Sequence, residues 1–121
     1  MKKLFVIGVM LMATVTFAKA QQFQQMSAEE RAKARTERME KMLALTADQK
    51  TKIQAIDLEL SKEMTDRMQN NRGNREAMRT AMQEIDKKYD EKYKVVLTAA
   101  QFKKYLEDKE LRQRERGQRN N

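Results

Sequence analysis

The chain has 121 residues, with 26 Lys and Arg against 18 Asp and Glu, and it contains no histidine, cysteine or proline. That inventory excludes Ser/His and Cys/His nucleophile pairs, the usual zinc sites and any disulfide. A net charge of +8 and a pI near 9.8 would make nucleic acid the default partner of a cytosolic chain.

Residues 1–20 read as a cleaved secretory signal peptide, and export makes a nucleic-acid partner unfavourable. Lys2 and Lys3 lead into an apolar run from Leu4 to Phe17, which closes with Ala18-Lys19-Ala20. The run is too short to span a bilayer, so cleavage after Ala20 is expected, with no stable membrane insertion afterwards. Removing Lys2, Lys3 and Lys19 lowers the net charge from +8 to +5. Residues 21–26 are glutamine-rich, carry no pattern and are expected to form a mobile tail.

Residues 27–111 carry helical spacing. Ser27 and Glu30 form a capping box that opens a first helix with Ala32, Met39, Met42 and Leu43 on one face, ending near Ala44. A second helix follows Thr46, with Ile53, Ile56, Leu60, Met64 and Met68 as its apolar stripe. Asn70-Asn71-Arg72-Gly73-Asn74 breaks it, folding the next helix back as an antiparallel hairpin; one continuous helix through Gly73 is the rival. The third helix runs from Arg75 to about Val96, with Met78, Ala81, Met82, Ile85, Tyr89, Tyr93 and Val96 inward. Thr98 opens the fourth, which presents Phe102, Tyr105 and Leu106 before the pattern fades after Leu111. Residues 112–121 are basic, lack an apolar face and are expected to be a flexible tail.

Beyond the signal segment, Leu, Ile, Val and Phe make up only 14 of 101 residues, a composition close to that of disordered chains. Regular periodicity and good caps argue for order, and a homodimer that shares its core reconciles the two observations. The carboxylates suit helix support better than acid/base catalysis. Pairs such as Asp48–Lys52, Glu63–Arg67, Glu84–Lys88, Asp90–Lys94, Asp108–Arg112 and Glu110–Arg114 stand four apart with the acid first, the orientation that favours an exposed helix. No catalytic residue and no cofactor is expected.

The pentapeptide LTADQ, Leu45 to Gln49, recurs as LTAAQ, Leu97 to Gln101. In each copy the threonine, Thr46 or Thr98, is placed to cap a helix, and the glutamine, Gln49 or Gln101, to reach back to the cap's own N–H. Leu45 and Leu97 precede the caps, where a hydrophobic staple forms; its partner is Phe102 in the second copy and only the Lys50 stem in the first, which predicts a looser first junction.

This repeat resembles the LTxxQ-motif family of periplasmic helical proteins, the Spy/CpxP-like family. The resemblance implies an all-α fold of four helices with a long central hairpin, assembled as a thin, curved antiparallel homodimer with a concave basic face. It also implies an ATP-independent periplasmic chaperone for unfolded envelope proteins, or a regulator that binds the sensor domain of an envelope-stress histidine kinase. The six matching residues, Leu45, Thr46, Gln49, Leu97, Thr98 and Gln101, carry a structural role.

The residues themselves suggest where a client would bind. Arg67, Arg72, Arg75 and Arg79 are interleaved with Met64, Met68, Met78 and Met82 around the turn between helices two and three. Guanidinium groups beside pliable thioether surface suit an unfolded, often acidic polypeptide. The methionine pairs admit two further readings, a helical core or soft ligands for Cu(I). No metal site is assigned, and a membrane surface is disfavoured because no helix opposes a wholly basic face to large apolar residues.

Overall fold

The structure, a computed structural model, describes residues 26–121, so the predicted signal segment and residues 21–25 of the predicted tail lie outside the described residues. Four helices account for the described chain: α1 Ala28–Leu43, α2 Ala47–Asn70, α3 Arg75–Val96 and α4 Ala99–Arg119. The fold is all-α, and α2 with α3 forms the long antiparallel hairpin at its centre.

Each helix starts where a polar side chain can satisfy its orphan amides. The Ser27 hydroxyl accepts the Glu30 N–H, and the Asn74 side-chain carbonyl accepts that of Ala77. The complete capping boxes are those of the repeat: Thr46 and Thr98 accept the N–H groups of Gln49 and Gln101 at 3.1 and 3.2 Å, and the glutamines accept the cap N–H groups at 3.0 and 2.9 Å. Between α2 and α3, Gly73 takes φ of +81°, and the Asn71 side chain donates to the Arg67 carbonyl at 2.8 Å. The left-handed turn there excludes the continuous-helix alternative.

The two repeat copies meet. Gln49 Nε2 donates to Gln101 Oε1 at 2.7 Å and Gln101 Nε2 donates to Gln49 Oε1 at 3.1 Å. The second proton of each amide goes to the end of the helix before the other copy: Gln49 to the Val96 carbonyl at 3.3 Å, Gln101 to the Leu43 carbonyl at 3.1 Å. A glutamine amide offers two donor protons and two acceptor lone pairs, and all four are used in both residues. One pair of side chains therefore caps two helix starts, closes two helix ends and ties the α1–α2 junction to the α3–α4 junction.

The junctions differ in detail. At the first, Ala44 holds a left-handed conformation (φ 52°), while its counterpart Leu97 is extended and buried. Lys50, which stands where the second copy has Phe102, sends its ammonium across the junction to Glu40 at 2.8 Å.

The core is small and lies where α2 is covered by α1 and α3. Met39, Leu43, Ile53, Leu60, Ile85 and Tyr93 are among its buried members, with Met42, Ile56, Met64, Met82 and Val96 packed against it in part. Three polar residues, Thr36, Asp57 and Ser61, share this interior. Two predicted inward residues are not inward. Met68 is 47% exposed in the last turn of α2, where, with Arg31 against Thr65, α1 is only beginning. Leu106 is 40% exposed, because α4 leans on α3 through the face that carries Tyr105 and Lys109.

Past Leu111, where the apolar pattern fades, α4 continues to Arg119. Arg112 and Arg114 pair with Asp108 and Glu110 one turn back, and good helix formers carry the helix where an apolar face is missing. Of the acid-first pairs, Asp48–Lys52 also forms, whereas Glu63, Glu84 and Asp90 turn to neighbouring helices.

Replacing Gln49 with Glu keeps the shape and removes both donor protons, leaving the Val96 carbonyl and Gln101 Oε1 facing a carboxylate. Chemical denaturation should show a loss of about 2–4 kcal/mol, against about 1 kcal/mol for Thr46→Ala, which loses only a cap.

Candidate binding cleft

Polar pairs fix the neighbouring helices in place. Each of the three tyrosines donates its hydroxyl to a carboxylate on another helix: Tyr93 to Asp57, Tyr89 to Glu63 at 2.6 Å, and Tyr105 to Asp90 at 2.7 Å. Burial pushes all three hydroxyls well above the ordinary tyrosine range, and the carboxylate each one faces pushes the same way.

Asp57 is the centre of this network. It is fully buried, accepts from Thr36 Oγ1 at 2.7 Å as well as from Tyr93, and lies 3.4 Å from Arg35 Nε. Arg35 also donates to the Tyr93 hydroxyl at 3.2 Å and sits over its ring. Burial raises the Asp57 pKa, and the bonds from Tyr93 and Thr36 work against that rise. The residue joins α1, α2 and α3 at one carboxylate, with a hydroxyl donor on each of its oxygens.

Outside this interior, α1, α2, α3 and α4 enclose a cleft of about 430 Å³. Its apolar wall is supplied by Met39 and Met42 from α1, Leu60 and Met64 from α2, and Met82 and Ile85 from α3. Arg35 and Arg38 of α1, Arg79 of α3, and Lys109, Arg112 and Arg116 of α4 bring positive charge to it, against Asp86 and Asp108. The acids are engaged: Asp108 with Arg112, and Asp86 with Lys109, which also reaches Asp90 at 2.6 Å. Arg38, Arg79 and Arg116 make no ion pair among the described residues. Burial lowers the Arg38 pKa, and the nearby Arg112 and Arg35 lower it further. The cleft thus combines four thioethers with a surplus of guanidinium groups.

The predicted client-binding cluster is divided by this arrangement. Met64, Met82 and Arg79 line the cleft. Met78 is half-buried outside it and Met68 is exposed. Arg67 is drawn to Glu84 at 3.4 Å, beside a separate shallow hollow at the α2–α3 turn, while Arg72 and Arg75 are exposed around that turn. The cause is position along the hairpin: Met68, Arg75 and Met78 share a helix face with Met64, Arg79 and Met82 but stand one turn nearer the α2–α3 turn, beyond the cleft. Reasoning from sequence missed Arg35, Arg38, Arg112 and Arg116 as site residues. Arg35, Arg38, Met39 and Met42 stand at spacings of three and four, and the basic run after Leu111 was visible, but only the packing of α4 brings the two together.

A family model described as a domain of unknown function, DUF4890, matches residues 17–105. The chain belongs to this family. No curated protein and no solved structure matches it. In this DUF4890 chain the match takes in α1, α2, α3 and both glutamines of the repeat, and it ends at Tyr105, before the basic half of α4.

The raised pKa of Asp57 makes a signed prediction. The folded state holds this proton more tightly than the unfolded one, so its stabilising contribution is complete below the unfolded carboxyl range, at about pH 4, and is lost as pH rises through the folded value. Asp57→Asn removes that loss. The stability difference, variant minus parent, should therefore increase with pH across this window in denaturation curves, and a constant difference would remove Asp57 from the account.

Proposed function

We propose that this protein is an ATP-independent holdase of the periplasm, which captures unfolded envelope proteins on a basic, methionine-lined face. One observation carries the reading: the partly buried Met42, Met64 and Met82 line the same cleft as Arg38, Arg79 and Arg116, which make no ion pair among the described residues. Unbranched thioethers adapt to side chains of many shapes, and surplus guanidinium charge draws acidic chains over long range. The signal-peptide pattern of residues 1–20 supports export, and the LTxxQ resemblance supports the chaperone class. No described helix is long and apolar enough to cross a membrane.

The remaining parts of the reading follow from the same features. The small core supports a homodimer as the working unit, since a second copy would cover apolar surface such as Met68, Leu106 and Leu111. The reading is non-enzymatic, because Asp57, Glu63 and Asp90 are engaged by tyrosines between helices. It also sets copper aside, because guanidinium groups around the four thioethers disfavour a bound cation.

Light scattering of a chemically denatured client, diluted into buffer with the folded protein and no nucleotide, tests the proposal. Aggregation should be suppressed near stoichiometric protein, and the suppression should weaken with salt. The triple substitution Arg38→Ser, Arg79→Ser, Arg116→Ser should weaken capture more than Arg72→Ser with Arg75→Ser. No suppression by protein with helical circular dichroism would move the assignment to a regulator with one saturable partner.

A further inference from the structure

The cleft has a shape and a charge distribution that a general client surface does not require. At about 430 Å³ it falls at the small-ligand end of the usual range for binding pockets, roughly 300–1,000 Å³. A peptide helix, about 10–12 Å across with its side chains, needs a broader groove. The apolar wall is unbranched or flexible side chain over much of its length, with Met39, Met42, Met64 and Met82 drawn from three helices. Methionine walls adjust to a chain of variable length better than a wall of branched residues does.

The charge is concentrated where α1 meets α4. Arg38 lies close enough to Arg112 and Arg35 to be repelled by both, with Asp108 in part offsetting them, and Arg116 stands one turn beyond Arg112. Arg35 is committed to Asp57 and Tyr93, and Arg112 to Asp108. Arg38 and Arg116 are left without an acid partner among the described residues, beside an apolar wall. An anion would relieve that repulsion, and Asp86 and Asp108 at the same cleft set a limit on it. A dianionic head would be repelled by them, whereas a single negative charge at the arginine end would not need to approach both.

We propose that the cleft binds a single-chain anionic amphiphile, a long-chain carboxylate, with its chain along the methionine wall and its head at Arg38 and Arg116. The inference does not rest on the holdase reading: an amphiphile carrier and a holdase would use the same wall, and the two activities are measured separately. The acyl chain takes the place of water along the wall, and the carboxylate receives charge-assisted hydrogen bonds from guanidinium groups held on two helices. Because Gln101 of α4 donates to the Leu43 carbonyl at the end of α1, the head site is held together by the same repeat that organises the fold.

Isothermal titration of the folded protein with three probes of equal chain length, each below its micelle concentration, tests the proposal: dodecanoate, dodecyltrimethylammonium and dodecyl maltoside. Dodecanoate should bind at one saturable site, at least about tenfold tighter than the other two. Arg38→Ser with Arg116→Ser should erase that preference and leave maltoside binding unchanged, while Met64→Gln with Met82→Gln should weaken both. Equal binding of the anion and the cation, non-saturating uptake, or binding of an acidic apolar peptide by protein that ignores dodecanoate would each overturn it. The three-probe comparison uses the unaltered chain, so the proposal stays falsifiable even if a variant fails to fold.

Discussion

Two glutamine side chains hold this structure in register. Helix ends leave amides and carbonyls without partners, and a chain with few large apolar residues has little packing energy to offset any that remain unpaired. Gln49 and Gln101 answer this by facing each other, each amide accepting from its own helix start and donating to the other copy's amide and to the end of the other copy's preceding helix. The arrangement requires glutamine. Glutamate has no proton to donate, and asparagine is one methylene too short to reach both its own cap and the other copy. The repeat is thus a single structural device made in two halves, which sets where α2 and α4 start and so how the four helices are disposed.

The interior builds on that frame with polar bonds where a larger domain would use aliphatic packing. Three tyrosines bring substantial buried area, and each hydroxyl finds a carboxylate across a helix boundary. Such pairs depend on distance and direction, so they fix the helix register more sharply than apolar contact does. Asp57 shows the cost and the use together: burial disfavours its charge, yet Thr36, Tyr93 and Arg35 converge on it from α1 and α3. The cleft follows from the same geometry. Tyr105 and Lys109 tie α4 to Asp90 of α3, and α4 then carries Arg112 and Arg116 over towards Arg35 and Arg38 of α1.

Much of the fold was legible in the sequence because its signals are local. Caps at Ser27, Thr46 and Thr98, the break at Gly73 and the apolar stripe of α2 up to Met64 all depend on residues within a turn or two of each other. The meeting of Gln49 with Gln101 was not legible, since a capping box is complete within its own five residues and gives no hint of a partner 52 positions away. Asp57 was legible in part: it lies one turn beyond Ile53 on the buried face, where a carboxylate reads as an interruption until Tyr93 and Thr36 are seen to meet it. The binding surface was the least legible. Arg67, Arg72, Arg75 and Arg79 are neighbours in sequence but only Arg79 reaches the cleft, whereas Arg38 and Arg116 come together only through the path of α4.

The glutamine bonds are observable directly. Side-chain amide protons of exposed glutamines exchange with solvent rapidly, while protons bonded in a folded frame exchange only when that frame opens. Nuclear magnetic resonance of the folded protein, with Gln49 and Gln101 assigned among its side-chain amides, should find both pairs of protons protected, and replacing either residue with alanine should remove the protection of the other's pair. Exchange at the rate of exposed glutamines, in protein whose helices are otherwise intact, would contradict the account.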